Sequence, residues 1–389
     1  MKLSREWWFE RKDELKALVT NKCPLFIYND ETLNDTFFDL LWIEDLDRLI
    51  HTVTANPHPR ILEKVYRLGA NFKCSSSAEL AHLLKTFPGI SSVQLLFSSD
   101  LAGPEDYEYS FKRGVTVMLE NISSLRSWPD VFKNRDIFLC IKIGHDQDDH
   151  NISESGQASR KSGIMPSEIK SLVHLLNRSE VSVKGLHAQL ENTASAPPGL
   201  NETASFLAGL SGHFPEVSVL SFGSGIGLSM KSGQGIPDIP ATKENLHAVR
   251  DSYPQFKLWL QPGHRIVSHA GVLLTKVTQA GRQGGIACIR LNTGMGMLTH
   301  SAVYGLHYDI INFSRLNEKA TMQAHIMGQD DDPKNAISCV IRPAPVEEGD
   351  ILLITNTGSY VPGTKLGSDS LDSVPAHYLC ARKMCPVRI

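Results

Sequence analysis

Between about residues 25 and 260, short β-branched or apolar runs alternate with longer helical patterns, and this alternation restricts the chain to few folds. Helical stretches such as HPRILEKVYRLG and PSEIKSLVHLLNR separate the runs. After LFIY at residues 25–28, the candidate strands are RLIHTV, ANFKC, VQLLF, VTVML, IFLCIKI, VKGLHA, VSVLSFG and KLWL. About eight βα units that close on themselves form a barrel of ordinary size. The sequence therefore predicts an α/β protein with a (β/α)8 TIM-like barrel over residues 36–265.

The pattern changes after residue 265, where helical periodicity gives way to short alternating runs broken by Gly, Pro and Asp. These runs include AGVLLTKVTQA, GGIACIRL, ATMQAHIMG, AISCVIRP and DILLITN. Such spacing is typical of an all-β module. Because LFIY precedes the first barrel strand, it is free to join that module. We therefore predict a discontinuous C-terminal β domain made of residues 1–35 and 266–389.

Composition excludes several classes of function. With 39 Lys+Arg against 42 Asp+Glu and no basic run, the chain lacks the electrostatic footprint of a nucleic-acid or acidic-membrane binder. Its seven cysteines are irregularly spaced without a CxxC pair, which indicates reduced thiols. Neither a signal peptide nor an apolar run long enough to span a bilayer is visible. We expect a cytoplasmic protein whose partners are small molecules or proteins.

Segments that follow the candidate strands matter most, because ligands of parallel barrels bind at the carboxyl ends of strands. SFGSGIG places Gly223, Gly225 and Gly227 after one strand, where backbone N–H groups could approach a phosphate, although a tight βα turn is the more common use. His187 lies in another strand, and we favour a structural role for it. QPGHR supplies either positive charge from His264 or a turn stiffened by proline and glycine.

Two acidic clusters could suggest a metal site. One is HDQDDH at residues 145–150, and the other is the Asp run at residues 330–332. Neither has the ligand spacing of a helical metal site or of an EF-hand. We interpret both clusters as solvated loops and predict no metal.

Several segments in collinear order resemble the fold type III pyridoxal-phosphate (PLP) decarboxylases: FIYNDETL, TVTANPHPRILEKVYRLGANFKCSSSAEL, GLHAQLENT, LSFGSGIG, LQPGHRIVSHAGVLLTKV, LNTGMGML, VYGLHYDI and EEGDILLITNTGSY. The likeness is greatest to diaminopimelate decarboxylase, in the form fused to aspartate kinase, and covers about residues 23–365. It implies an alanine racemase-like barrel with a C-terminal β domain, PLP as cofactor, and an amino-acid ligand. It also implies a head-to-tail homodimer with two composite sites at its interface.

The resemblance assigns the cofactor positions to residues that differ from the family pattern. Thr54 stands where the family has the lysine that holds PLP covalently, and a hydroxyl cannot form that imine. Gln189 replaces the histidine that stacks on the pyridine ring. Gln261 replaces the glutamate that opposes the pyridine nitrogen, and a neutral amide cannot hold a proton there by charge. These departures predict a degenerate active site.

Other positions divide between loss and retention. His300 aligns with the substrate-binding arginine, and Asp332 is the one acid left in the interfacial motif. Tyr304 and the glycine loop remain, as does Tyr360, which resembles the tyrosine that touches the cofactor phosphate. Lys73 occupies a place where the family usually has an acidic residue.

Two interpretations follow. The first is a degenerate homologue that has lost the ancestral decarboxylation. It serves as a binding or regulatory module for an amino-acid-like ligand, with a protein partner from the same pathway, or it hosts altered chemistry. The alternative is an active carboxy-lyase in which Lys73, supported by Lys142, replaces the missing lysine. An ordinary cation that balances nearby acids, namely Glu191 and Asp332, is the simpler role for Lys73. A PLP-independent enzyme that uses the acidic loops also stays open.

Overall fold

The computed structural model describes residues 6–19, 23–143, 163–190, 199–223, 239–293, 308–318, 320–328, 337–359, 376–379 and 384–386. Strand β1 is Leu25–Asn29. The next eight strands close into a barrel: β2 (Arg48–Thr52), β3 (Asn71–Cys74), β4 (Leu95–Ser98), β5 (Thr116–Leu119), β6 (Asp136–Ile141), β7 (Ser182–Gln189), β8 (Val219–Gly223) and β9 (Lys257–Gln261). Every neighbouring pair that is described is parallel, and β9 returns to β2 with Arg48 opposite Trp259. The predicted eight-stranded barrel is confirmed.

Helices separate the strands along the chain. They are α1 (Trp7–Glu10), α2 (Lys12–Val19), α3 (Asp30–Leu41), α4 (Pro59–Arg67), α5 (Ser77–Thr86), α6 (Pro104–Phe111), α7 (Ile122–Ser127), α8 (Pro129–Phe132), α9 (Ile169–Arg178), α10 (Leu200–Ser211) and α11 (Ile239–Ser252). Local chemistry fixes their starts: Ser76 accepts a hydrogen bond from the backbone N–H of Glu79 at the start of α5, and Pro59 stands in the first turn of α4. Within the described residues, no helix has the length and apolarity needed to cross a membrane.

One strand begins later than its apolar run predicts. VQLLF suggests a strand from residue 93, whereas Ser92–Gln94 form a 3-10 turn and β4 begins at Leu95. The side chain of Gln94 accepts a hydrogen bond from the backbone N–H of Ser91, which favours the turn. Local capping therefore overrides the β propensity of Val93.

The remaining strands form one mixed sheet in the order β11-β13-β14-β12-β15-β10-β1-β16-β17. Their bounds are β10 (Gly271–Gln283), β11 (Ile286–Leu291), β12 (Ile310–Asn312), β13 (Ala320–Met327), β14 (Ile337–Ala344), β15 (Ile351–Ile354), β16 (Ala376–Leu379) and β17 (Met384–Pro386). β1 pairs antiparallel with β10 and parallel with β16. LFIY thus joins the sheet built by the C-terminal residues, as the sequence suggests.

The barrel interior contains an apolar layer. It is formed by Ile50, Leu96, Met118, Phe138, Cys140, Val219 and Trp259. The rings of Phe138 and Trp259 stack with centroids 4.9 Å apart. Gly185 gives Phe138 its space, because a Cβ at Gly185 would lie 2.4 Å from the ring. This layer closes the barrel below its carboxyl-end mouth.

Asn56 connects the barrel mouth to the mixed sheet. Its side-chain amide donates to the carbonyl of Gly358 over 2.7 Å and to the Tyr28 hydroxyl over 3.1 Å. Its carbonyl oxygen accepts from the backbone N–H of His58. Burial raises the pKa of Tyr28 to about 12, so its hydroxyl stays protonated. The turn after β2 is thereby anchored to the loop that follows β15.

Candidate functional site

Polar side chains fill the barrel just above the apolar layer, on the carboxyl-end side. Side chains alternate along a strand, so the residue two positions beyond an inward apolar residue also faces inward. This spacing relates Ser98 to Leu96, Glu120 to Met118, and Gln261 to Trp259. The polar layer consists of Lys73, Ser98, Glu120, His187, Gln189, Ser221 and Gln261. Such a layer at the carboxyl ends of barrel strands is where ligands bind in this architecture.

The side of the mouth formed by β3 to β5 carries charge. Lys73 Nζ lies 3.6 Å from Glu120 Oε1, and both side chains are largely buried, with 17% and 9% exposed. The Ser98 hydroxyl donates a hydrogen bond to the same carboxylate oxygen. Among the described residues, Lys73 Nζ makes this ion pair and no direct hydrogen bond. Lys73 and Glu120 therefore form one ion pair inside the mouth.

The opposite side, formed by β7 to β9, is uncharged. The Gln261 amide Nε2 donates to the Ser221 hydroxyl oxygen over 2.9 Å, and Ser221 Oγ lies 3.0 Å from His187 Nδ1. The Ser221 hydroxyl can accept from Gln261 and still share a hydrogen bond with His187 Nδ1, in which the tautomer of the ring decides the donor. Burial first, and then the charge of Lys73, lowers the pKa of His187 to about 3. The ring is therefore neutral at pH 7.

Thr54 lies in the mouth, in the 3-10 turn Val53–Ala55 that directly follows β2. Its hydroxyl donates to Glu79 Oε1 over 2.8 Å, while the backbone N–H of Ser75 donates to Glu79 Oε2 over 2.7 Å. Burial raises the pKa of Glu79, although these two hydrogen bonds and the charge of Lys73 oppose the shift. The Thr54 side chain is therefore tied to a buried carboxylate at the start of α5.

Gly223 and the two glutamines occupy one row across neighbouring strand ends. Gln189 pairs with Gly223, and Gly223 pairs with Gln261. A Cβ at Gly223 would lie 2.1 Å from Gln189 Oε1 and 3.0 Å from His187 Cε1. The missing side chain at this glycine makes room for Gln189. Packing against Gln189 thus accounts for the first glycine of SFGSGIG independently of any phosphate.

The structure brings together some of the residues that the sequence singled out. Thr54, Lys73, Gln189, Gly223 and Gln261 all lie at the carboxyl ends of barrel strands. Other candidates lie outside the described residues: Gly225, Gly227, Glu191, His300, Tyr304, Asp332, Tyr360 and both acidic clusters. His264 belongs to the 3-10 turn Gly263–Ile266, after β9. The described part of the chain contains no group of three or more His, Cys, Asp or Glu arranged to hold a metal ion.

Sequence reasoning missed four members of the site. Ser98, Glu120 and Ser221 are single polar residues near the ends of apolar strands, and Glu79 lies in the first turn of a helix. The available signal was the inward register of β4, β5 and β8, which is continuous with the apolar layer. Reading each strand two residues past its last inward apolar side chain would have found the three strand-end residues.

Together, the fold and the site define a class: a parallel barrel joined to a mixed sheet, with polar groups concentrated at the carboxyl ends of the barrel strands. Residues 41–268 match the pyridoxal-dependent decarboxylases, in their pyridoxal binding domain. The chain belongs to this family. The resemblance seen in the sequence is thus confirmed at the level of the family.

Individual relatives agree with this assignment. Diaminopimelate decarboxylase of Deinococcus radiodurans is 21% identical over 337 residues, which cover 87% of this chain and 85% of the relative. Arginine decarboxylase of Paramecium bursaria Chlorella virus, solved bound to agmatine, superposes with a TM-score of 0.77 at 14% identity, covering 95% of this chain and all of that one. Diaminopimelate decarboxylase of M. jannaschii, solved with L-lysine, superposes with a TM-score of 0.76 at 18% identity. The superposition covers 96% of this chain and 91% of that one. At these identities, the structural likeness shows the fold.

Proposed function

We propose that this protein binds an amino acid in its barrel mouth and does not decarboxylate it. The observation that carries the proposal is the state of Thr54, whose hydroxyl follows β2 and is hydrogen-bonded to Glu79. A PLP enzyme needs an amine there to hold the aldehyde of the cofactor as an imine, and a hydroxyl cannot form one. Support for an amino-acid ligand comes from relatives named as amino-acid decarboxylases.

The other mouth residues also fit tethered PLP poorly. The cofactor acts as an electron sink when an acidic group stabilises its protonated ring nitrogen, whereas Gln261 is a neutral amide whose Nε2 is used by Ser221. Lys73 is balanced by Glu120, so this pair adds no net positive charge that would attract a phosphate dianion. The family depends on PLP for its chemistry. Among the described residues, the positions that attach and activate PLP in the family carry Thr54 and Gln261, and neither side chain can perform that role.

A turnover assay tests the proposal. Purified protein is mixed with PLP and, separately, with meso-diaminopimelate, L-lysine and L-ornithine, and released carbon dioxide is measured. We expect no release above background, because loss of one positioned catalytic group alone lowers rates by about 10²-fold or more. A PLP-dependent relative assayed in parallel serves as the positive control. Carbon dioxide release with any of the three amino acids would contradict the proposal.

The rival is a decarboxylase in which Lys73 has taken over covalent attachment. Its favouring observation is that Lys73 faces into the mouth with donors that no described residue uses. Against it, the ion pair with Glu120 is the arrangement of an ammonium that binds anions. Borohydride reduction with PLP, followed by intact mass and peptide mapping, separates the two. An adduct at Lys73 supports the rival, and its absence supports the proposal. Thr54→Lys is the matched control variant. An adduct at residue 54 in that variant would show that the mouth admits the cofactor.

We also propose that the protein is a homodimer and that the dimer completes the mouth. The family resemblance implies an interface with composite sites, and the resemblance places Asp332 in the interfacial motif. We expect light scattering to give about twice the chain mass of 43.0 kDa at micromolar concentration. A monomer would contradict this expectation. The proposed function would then require a protein partner from the same pathway instead of a second copy of the chain.

A further inference from the structure

The Lys73–Glu120 pair has the geometry of a binding site for a zwitterion. The two side chains project from the ends of β3 and β5, which flank β4, and their charged atoms lie 3.6 Å apart. The carboxylate is fixed by the hydroxyl of Ser98. Since the ion pair exceeds hydrogen-bond length, the three N–H donors of Lys73 are not used by any described residue. The ammonium can therefore take an oxygen ligand while it stays beside Glu120.

The charge balance of the mouth limits which ligands gain from this arrangement. The wall made by His187, Ser221 and Gln261 is neutral at pH 7, and the charges of Lys73 and Glu120 offset each other. Burial raises the pKa of the further carboxyl group, Glu79, which disfavours a charge there. A lone carboxylate or a lone ammonium would add a net charge to a poorly solvated site, which is costly. A ligand with both charges adds none. The mouth should therefore discriminate against simple acids and simple amines.

Building on the proposed function, we propose that Lys73 binds the carboxylate and Glu120 the ammonium of an α-amino acid, and that this pair determines specificity. The two charges of an amino-acid head group are joined through one carbon atom, which suits a pair whose charged atoms lie 3.6 Å apart. Charge-assisted hydrogen bonds of this kind are stronger than neutral ones. The resemblance places His300 where relatives have the substrate arginine, and in this proposal Lys73 on β3 supplies the cation instead.

Three probes that share one five-carbon chain ending in an amine test the proposal by calorimetry. L-lysine has both head-group charges, cadaverine lacks the carboxylate, and 6-aminohexanoate lacks the α-ammonium. We expect L-lysine to bind at least about tenfold more tightly than either analogue, as expected for one charge-assisted hydrogen bond. Equal affinity for L-lysine and cadaverine would overturn the role of Lys73. Equal affinity for L-lysine and 6-aminohexanoate would overturn the role of Glu120.

Two variants assign the discrimination to its residues. In Lys73→Met the preference for L-lysine over cadaverine should fall by about tenfold, and in Glu120→Gln the preference over 6-aminohexanoate should fall similarly. Lys112→Met, which removes an exposed ion pair with Glu108 on α6, is the control and should change neither ratio. Circular dichroism checks that each variant is folded, and Lys73→Arg, which keeps the cation, should retain part of the preference.

The outcomes separate this inference from the function on which it rests. If L-lysine binds and Lys73→Met leaves both ratios unchanged, the inference fails and the proposed function stands. If none of the three probes binds to the wild-type protein, both fail. If carbon dioxide is released from L-lysine with PLP, the proposed function fails, whereas the specificity ratios still report on the Lys73–Glu120 pair.

Discussion

Lowering the pH from 7 to 4 is expected to remove most of the free energy that stabilises the folded protein, through three buried histidines. Burial lowers the pKa of His51 and of His58 to about 4, and that of His187 to about 3. Their ordinary value is 6.5. In the unfolded chain all three bind protons as the pH falls through 6.5, while the folded protein holds them neutral. Acid therefore favours the unfolded state.

The size of the effect follows from linkage between proton binding and folding. This stabilisation is fully present above pH 6.5 and is lost as the pH falls toward 4. The lowering of the pKa from 6.5 to about 4 is worth about 3 kcal/mol for His51 and for His58, and at pH 4 His187 contributes about as much, so the three together approach about 10 kcal/mol. Typical domains are stable by about 5–15 kcal/mol. Glu79 acts in the opposite direction. Because its pKa is raised in the folded protein, a fall in pH favours the folded state at that one residue.

Urea denaturation at pH 7.5 and at pH 5 measures the prediction, and His51→Phe isolates one contribution. The His51 ring lies among apolar neighbours, 6.1 Å from the ring centroid of Phe37 and 6.5 Å from that of Phe72, and neither of its nitrogens has a hydrogen bond of good geometry to a described residue. Phenylalanine should reduce the pH dependence by about one proton. His174→Gln on the exposed face of α9 should leave it unchanged. Equal stability at both pH values would contradict the prediction.

Gly358→Ala is expected to destabilise the protein by about 3 kcal/mol or more. A Cβ at this position would lie 1.8 Å from the carbonyl oxygen of Val267 and 2.9 Å from that of Ser268. Both neighbours are backbone atoms, so no side-chain rotation can relieve the overlap. The shift would also weaken the hydrogen bond from Gly358 N–H to Ser268 and the bond from Asn56 to Gly358. The connection between the barrel mouth and the mixed sheet would therefore be disturbed.

Chemical denaturation of the variant and of a glycine control decides the matter. Gly281→Ala lies on the exposed part of β10, where an added Cβ meets no atom within 4 Å. We expect it to change the free energy of unfolding by about 0.5 kcal/mol or less. Equal free energies of unfolding for Gly358→Ala and Gly281→Ala would contradict the close approach of the Gly358 backbone to Val267 and Ser268. The amino-acid binding of Gly358→Ala should weaken together with its stability, since its loop supports the turn that carries Thr54.

The barrel could be predicted from the sequence because its strands are buried on both sides. KLWL and IFLCIKI are continuous apolar runs bounded by polar or turn residues, and burial alone makes such runs strands or core helices. Helical repeats between the runs decide in favour of parallel βα units. The ends of strands were less predictable. At Ser91 and Gln94, a capping hydrogen bond outweighs the apolar pattern, and such competition is settled by local geometry.

The chemistry of the mouth was less predictable than the fold. Lys73 was singled out, but its partner Glu120 follows a strand two positions further around the barrel, and the parallel pairing of β3, β4 and β5 brings them within 3.6 Å. The resemblance pointed to Thr54 without revealing that Glu79 accepts its hydrogen bond. Pairings of this kind depend on three-dimensional register, which a single sequence does not encode in any local pattern. The suggested partners of Lys73, Glu191 and Asp332, stay predictions.

The position of β1 has a consequence for how the polypeptide reaches its final form during translation. Every residue of Leu25–Asn29 is buried, and the strand sits between β10 and β16, both of which leave the ribosome after the entire barrel. This apolar segment is therefore synthesised early and has no partner strand until more than two hundred further residues have been synthesised. Holdase chaperones that shield nascent chains would act on this segment, and barrel assembly would bring it near its late-arriving neighbours.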